Sequence, residues 1–422
     1  MHDATAQAAR VWKTSGRLAD GREIIYFDES PGSGRAQVRD PRDLGDEAGA
    51  DAGPVSGLRW DPLVGEWVVI AAQRQGRTFL PPVEQCPLCP SGPGRQTEIP
   101  ASDYDVVVFE NRFPSLRGAG PALRGAGPAL RGAGPALRGA GPALRGAGPA
   151  RTAAGGAAGD GAADGTGALL PGEDPLSARR PGTGRCEVVC FTSDHDSSFA
   201  GLTPGRVRTV VEAWADRTAA LGAMDGISQV YCFENKGEEI GVTLHHPHGQ
   251  IYGFPFVTPR TLQLMGQARA YARGGRRNLF DDLVARELAE GTRLVAGNEH
   301  WAAFVPAAAR WPYEVLLFPA SRVPDIPALG AAARDAFCGL YLDVLRRFDA
   351  LFGSPPPYIA AWYQAPAADV AGRDEFGLHL RVMSVQRAPG KLKYLAGTES
   401  GMGVWINDVV PEAAALRLRE AR

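Results

Sequence analysis

F-E-N-K-G-E-E-I-G-V-T-L-H-H-P-H-G-Q-I-Y, residues 233 to 252, holds three of the chain's seven histidines within four positions. The apolar run from Ile227 to Phe233 before it reads as a buried strand, and the polar, glycine-containing segment Glu234 to Leu244 as a loop. An extended course resumes from His245 to Tyr252. Pro247 fixes its own φ and turns His246 away from helix, so H-P-H is extended, with His246 and His248 on one face and His245 on the other. Gln250 follows on the face of His248. Gly249 between them has no Cβ, which lets a ligand approach the backbone. Two imidazoles and a carboxamide in a row suit a phosphate. A neutral imidazole can attack phosphorus and leave again, and the amide can donate to oxygens that gain charge during transfer. The same H-x-H spacing also suits a pair of metal ligands, and His245 also suits a surface or core histidine.

The chain has 422 residues, 44% of them hydrophobic, enough for two or three domains with a substantial core. A formal charge of −2 supplies no global basic field for nucleic acid. Lysine occurs only at positions 13, 236, 391 and 393, so nearly all basic residues are arginine, a bias that fits genome composition. The sequence has no stretch of eighteen apolar residues, and its start lacks a signal-peptide hydrophobic region; the reading is a cytoplasmic protein without membrane attachment. Six cysteines, two of them in C-P-L-C, suit a reducing compartment and a metal better than a disulfide framework.

Residues 1–56 read as an N-terminal extension with one strand, Glu23 to Phe27, and a flexible Gly/Asp/Ala/Pro-rich linker from Ser30 to Gly57, order beginning near Leu58. Within R-W-D-P-L-V-G-E-W-V-V-I-A-A-Q-R-Q-G-R a strand from Trp67 to Ala71 ends just before Arg74 and Arg77. Arginines at a strand exit can reach phosphates; they equally suit a solvated surface. Cys86 and Cys89 have zinc-knuckle spacing without a second C-x2-C, so further ligands come from elsewhere, and His195 and His246 are the best available. The competing reading is an unligated pair in a Pro-rich loop. Cys186 and Cys190, four apart in an apolar strand, read as core thiols.

From Leu116 to Ala150 run five copies of L-R-G-A-G-P-A. Two glycines and a proline per copy exclude a heptad helix. Ordering seven backbones costs roughly 7 to 14 kcal/mol, whereas burying one leucine returns about 1.5 to 3 kcal/mol. Residues 115 to about 180 are therefore expected to form an expanded loop.

The remaining elements repeat in order, giving an α+β chain of two similar halves with mostly antiparallel strands and packed helices. The first half has strands near Trp67, 106–109 and 186–191, a helix capped by Thr203-Pro204, and strands 227–233 and 246–252. Helices near 261–272 and 278–290 follow. The second half has strands near Leu294, 300–305 and 313–318, a long helix ending at Gly353, and strands 358–362 and 378–384. Where the first half has H-H-P-H-G-Q, the second has G-L-H-L-R-V, so His379 alone remains and one active site per chain is expected.

F-E-N-K-G followed by H-P-H-G-Q, with R-x-D-P-L-x-G-E-W, C-P-L-C, S-D-H, E-H-W and W-P-Y-E in order, resembles the galactose-1-phosphate uridylyltransferase family of the histidine-triad superfamily. The resemblance covers residues 57 to 422 apart from the repeats. It implies a catalytic histidine-triad-like domain over 57–260, interrupted by the repeat insert, and a second such domain over 261–422. It implies that His248 is the nucleophile and that His246 joins Cys86, Cys89 and His195 around one zinc ion per chain. Arg74 and Arg77 correspond to phosphate contacts; Asn111, Arg112 and Phe113 to the uridine pocket; Asn235, Gly241, Thr243 and Gln250 to the segment holding the phosphates. Lys393 and Glu399, in K-Y-L-A-G-T-E, correspond to sugar contacts that reach the partner's site in the family homodimer. A second metal site of some members is expected to be absent, since its matching positions include Tyr363, His379 and Arg381. Thr398 replaces a tyrosine of some members.

The implied reaction is a ping-pong exchange in which UMP passes from UDP-glucose to His248 and then to galactose 1-phosphate. Two alternatives remain on sequence grounds: a related nucleotidyltransferase or phosphorylase for another sugar nucleotide such as ADP-glucose, and a zinc-dependent binding module without turnover. Donor specificity separates the first, and absence of a covalent nucleotide adduct would mark the second.

Overall fold

Valine- and aromatic-rich runs from both halves of the chain pair into one eleven-stranded antiparallel sheet. The computed structural model describes residues 11–31, 35–44, 56–118, 169–367 and 372–421. In chain order the elements are β1 (Trp12–Arg17), β2 (Glu23–Asp28), β3 (Gly57–Asp61), β4 (Glu66–Ile70), β5 (Val106–Glu110), β6 (Arg179–Pro181), β7 (Arg185–Cys190), α1 (Pro204–Gly222), β8 (Gln229–Lys236), β9 (His248–Phe254), α2 (Pro259–Arg273), α3 (Leu279–Glu290), β10 (Leu294–Gly297), β11 (Trp301–Phe304), β12 (Tyr313–Pro319), α4 (Ala331–Ala350), β13 (Tyr358–Tyr363), β14 (His379–Ser384), β15 (Gln386–Ala388), β16 (Lys391–Leu392), α5 (Gly397–Met402) and α6 (Pro411–Glu420). The sheet order is β1-β2-β5-β7-β9-β8-β13-β14-β12-β11-β10, so β5-β7-β9-β8 is repeated as β11-β12-β14-β13. The halves meet where β8 pairs with β13, Asn235 opposite Ile359.

Thr203 caps α1 by accepting from the Arg206 N–H at 3.1 Å, and Pro204 takes the first turn, where its missing donor costs nothing. Val207, Val210, Val211, Trp214 and Leu221 of α1 are buried, as are Phe337, Leu340, Tyr341, Val344, Leu345 and Phe348 of α4. These spacings were legible in the sequence. The two helices pack together over one sheet face and form the principal core. Each such side chain contributes about 1.5 to 3 kcal/mol on burial.

The opposite face is covered in pieces. α2 and α3 cover the second half, with Met265 and Phe280 against Phe304 and Phe318. Over the first half, the loop carrying Cys86, Leu88 and Cys89 packs on Ile24, Val107 and Val188. The small sheet β4-β3-β6 places Leu58 and Trp67 against Cys186 and Phe256. Among the described residues no helix is long and apolar enough to cross a membrane.

Two sequence expectations are corrected. Order does not begin near Leu58: β1 and β2 form the outer edge of the main sheet, β2 pairing with β5 from Ile24–Phe109 to Phe27–Val106. The alternation in W-K-T-S-G-R is too polar to announce a strand; its ladder partner is what holds it. The expected loop from 115 to 180 is also narrower. Leu116 is buried beside Leu58, Arg117 bridges to Thr183, and β6 pairs with β3. The repeats beyond Gly118 lie outside the described residues, as does half of the Ser30–Gly57 linker.

Candidate active site

Alternation along β9 turns His248, Gln250 and Tyr252 toward one face and buries Gly249, Ile251 and Gly253 on the other. The ladder starts at His248, two residues later than the sequence suggested; Pro247 has no N–H, and its carbonyl accepts from Phe191 N–H at 3.2 Å. Gly249 sits where β7, β8 and β9 crowd together. A Cβ there would lie 2.8 Å from both the Phe191 ring and the Phe233 carbonyl oxygen.

A cavity of about 290 Å3 opens over this face. His248 and Gln250 line it together with Arg74, Arg77, Asn111, Arg112, Phe113, Asn235, Gly241 and Thr243, so every first-half residue expected to hold substrate meets there. A 3-10 turn over Ala72–Gly76 brings in Arg74 and Arg77. Gly241 ends the turn after β8 at φ 84°, a left-handed conformation natural to glycine, and so returns the chain to the cavity. Lys393 and Glu399 are not part of it. They pair with each other at 2.7 Å, both buried, and Lys393 with its hydrogen bond holds the Glu399 carboxyl down to about 2. Beside them Tyr394, Met402 and Val404 are exposed apolar side chains.

His248 is half-buried, and burial lowers its pKa, which favours the neutral ring. Its Nδ1 lies 2.8 Å from the His246 carbonyl oxygen. A carbonyl only accepts, so Nδ1 carries the proton and Nε2 keeps its lone pair. Gln250 is oriented in turn: Tyr252 OH donates to its Oε1 at 3.1 Å, while Arg74 Nη1 donates to Tyr252 OH at 3.3 Å and to Ser115 Oγ at 3.0 Å. With Oε1 occupied, the Gln250 NH2 is the group left for a ligand. Tyr252 was not singled out from the sequence, although it stands two residues after Gln250 on the same face.

Cys86, Cys89, His195 and His246 converge just before the start of this strand, their ligand atoms all within 4.8 Å of one another. Cys89 Sγ is 3.3 Å from His195 Nδ1 and 3.6 Å from His246 Nδ1. The far nitrogen of His246, Nε2, faces the Thr192 carbonyl and the Tyr104 hydroxyl, both at 2.8 Å, and Tyr104 OH donates to the Leu88 carbonyl at 2.9 Å. Nε2 therefore carries the proton and Nδ1 is free to coordinate. Burial holds His246 down to about 4, so the ring is neutral, as a ligand must be, and pushes the Cys86 thiol up to about 11. Two thiols and two imidazoles packed this closely can hold a metal ion, and the donor set fits tetrahedral zinc. Tyr104 was also missed; nothing in S-D-Y-D announces that its hydroxyl reaches a histidine 142 residues later.

In the second half, His379 opens β14 as His248 opens β9, but its surroundings differ. It is buried and stacked on Phe318 (4.6 Å between centroids) and Tyr363 (5.1 Å). Arg381 lies over Tyr363 at 4.9 Å and pairs with Glu314 at 3.1 Å. Burial first, then Arg381, holds His379 down to about 3.

Residues 170–258 match the family model described as galactose-1-phosphate uridyl transferase, N-terminal domain, and residues 265–422 match the corresponding C-terminal domain. A galactose-1-phosphate uridylyltransferase of Streptomyces lividans is 44% identical over 97% of each chain. One of Thermotoga maritima is 32% identical over 86% of this chain and 98% of its own. A solved uridylyltransferase structure superposes with a TM-score of 0.65 at 26% identity, covering 86% of this chain and 98% of its own.

Proposed function

Because the chain belongs to the galactose-1-phosphate uridylyltransferase family, we propose that it transfers UMP from UDP-glucose to galactose 1-phosphate through a uridylyl-histidine on His248. The observation that carries this reading is His248 itself, its Nδ1–H engaged by the His246 carbonyl and its ring in the wall of a cavity lined by Arg74, Arg77 and Gln250. The Nε2 lone pair attacks the α-phosphorus of UDP-glucose. The bond to the β-phosphate oxygen breaks, and glucose 1-phosphate leaves with the electron pair. Galactose 1-phosphate then attacks the same phosphorus with a phosphate oxygen and releases the histidine as UDP-galactose forms. Gln250 NH2 and the arginines hold the oxygens that gain charge. Asn235, Gly241 and Thr243 bind the phosphates, and Asn111, Arg112 and Phe113 the uridine.

Zinc bound by Cys86, Cys89, His195 and His246 is structural, since four protein ligands leave no open position. It ties the Cys86–Cys89 loop to the residue whose carbonyl orients His248. The protein acts as a cytoplasmic homodimer; its six unpaired cysteines suit a reducing compartment. The segment from Lys393 to Glu399 serves the second protomer's cavity, and the exposed Tyr394, Met402 and Val404 around it form part of the contact.

UDP-glucose labelled in the uridine, incubated without acceptor and followed by peptide mapping, tests the reading. The label is expected on His248, acid-labile and base-stable as phosphoramidates are, and absent from His248→Ala. A label on His245 or His246, or full turnover with no adduct, would refute it. Labelling from ADP-glucose in place of UDP-glucose would move the substrate to another base.

A further inference from the structure

Glu98 supplies the one carboxylate among the described residues that line the nucleotide cavity, where the other charged groups are Arg74, Arg77 and Arg112. A carboxylate facing a phosphate site is unfavourable unless it has a partner of its own. Glu98 shares the cavity wall with Leu88, Phe109 and Asn111. Its residue is 93% buried, and its carboxylate is gripped by three arginines: Arg22 Nη2 on Oε2, Arg42 Nη1 on Oε1 at 2.9 Å, and Arg112 Nη1 near Oε1 at 3.5 Å.

The clamp is itself anchored. Arg22 donates to Asp20 at 2.6 Å and to the Glu110 carbonyl at 2.7 Å, and Arg42 pairs with Asp40 at 2.7 Å. Glu98 N–H donates to the Pro87 carbonyl at 3.1 Å, inside the Cys86–Cys89 loop. Two of the three gripping arginines, Arg22 and Arg42, come from the segment before β3 that the sequence presented as an extension. An ion pair network this buried repays its desolvation only with good geometry, and that geometry fixes the carboxylate to within a rotamer. Each carboxylate oxygen can accept two hydrogen bonds. Oxygens already held by arginine on one side retain acceptor capacity on the cavity side.

We propose that Glu98, held by Arg22 and Arg42, is the ribose-binding residue of this site and accepts from the 2′- and 3′-hydroxyls of the nucleotide. A carboxylate is the natural acceptor for a vicinal diol, whose two O–H groups match its two oxygens, and acidic residues bind ribose hydroxyls in this way in other nucleotide sites. The alternative donor, the uracil N3–H, offers a single hydrogen and leaves one oxygen idle. Arg22 and Arg42 are positioning residues, acting only through Glu98. This assignment rests on the nucleotide reading given above.

The test measures calorimetric binding of UDP and of 2′,3′-dideoxyuridine diphosphate to the full-length protein and to Glu98→Ala, Glu98→Gln and Arg42→Gln. Hydrogen bonds to a charged acceptor predict that the wild type binds UDP roughly 10 to 100-fold more tightly than the dideoxy analogue. That ratio should fall to near one in E98A and to an intermediate value in E98Q and R42Q. Because the ratio is taken within each variant, general weakening of the fold does not move it. If E98A fails to fold, E98Q and R42Q carry the decision, since each keeps the volume near Glu98. Equal binding of the two nucleotides by the wild type, or an unchanged ratio in the variants, would overturn the ribose assignment while leaving the enzyme's reaction intact. If the wild type binds neither nucleotide, the underlying substrate reading falls and takes this one with it.

Discussion

Tyr104→Phe removes a single buried oxygen, and the consequences separate metal binding from chemistry. In the native protein that oxygen receives the His246 Nε2–H at 2.8 Å and donates to the Leu88 carbonyl at 2.9 Å. After the substitution His246 still has the Thr192 carbonyl at 2.8 Å, so its tautomer survives, whereas Leu88, between the two cysteines, loses its hydroxyl donor. A buried acceptor deprived of its partner costs about 1 to 3 kcal/mol. Losing an outer hydrogen bond to a metal ligand weakens affinity roughly 10 to 100-fold, and the retained Thr192 contact places this case near tenfold, about 1.4 kcal/mol. Competition with a chromogenic chelator should therefore show a zinc dissociation constant about tenfold higher, together with a lower thermal midpoint that chelator depresses further. Labelling of His248 in the zinc-saturated variant should proceed at nearly the native rate, because the His246 carbonyl is untouched. Unchanged zinc affinity would refute the coupling; slow labelling despite full zinc occupancy would show that the hydroxyl serves the chemistry directly.

Two further outcomes follow from the same geometry. Gly249→Ala places a Cβ 2.8 Å from the Phe233 carbonyl and must part β8 from β9; a loss of about 1 to 3 kcal/mol in denaturant unfolding and slower His248 labelling are expected, and a variant unchanged in both would show slack in that ladder. His379, held down to about 3 by burial and Arg381, stays neutral when folded but protonates near 6.5 when unfolded, so its stabilisation is complete above pH 6.5 and is lost as pH falls toward 3. Between pH 7 and 5 that amounts to about 2 kcal/mol, which His379→Phe should remove from the pH dependence of unfolding; identical slopes in both proteins would contradict it.

Local pattern announced what local pattern controls. The H-P-H-G-Q strand, the capped α1 and the inward face of α4 follow from alternation, proline and helical spacing, which act over a few residues. C-P-L-C announced two members of the Cys/His cluster, and S-D-H and H-P-H were readable as the source of the other two because histidines are scarce in this chain. Glu98, Tyr104 and Arg22 were illegible for the opposite reason: their meaning lies in partners dozens to over a hundred residues away, and each sits in a segment of unremarkable composition. β1 was hidden likewise, since W-K-T-S-G-R has no apolar face and owes its extended form to β2. Tyr252 was within reach of the strand's alternation and was passed over because a tyrosine near a histidine has no signature of its own. Lys393 and Glu399 carry the family pattern, yet within one chain they satisfy each other.

The seam between β8 and β13 bears on how the chain can be divided. Phe233 to Lys236 of β8 pair with Ala361 to Tyr358 of β13, and two of those β8 residues, Phe233 and Asn235, also line the nucleotide cavity. A first half produced alone would carry every group of the candidate chemistry but would end its sheet on a bare edge. The backbone donors and acceptors of β8 would then seek another strand, and the nearest source is β8 of a second copy. The second half is thus a built-in guard against edge-to-edge pairing of β8, and it covers a strand that itself brings Phe233 and Asn235 to the cavity.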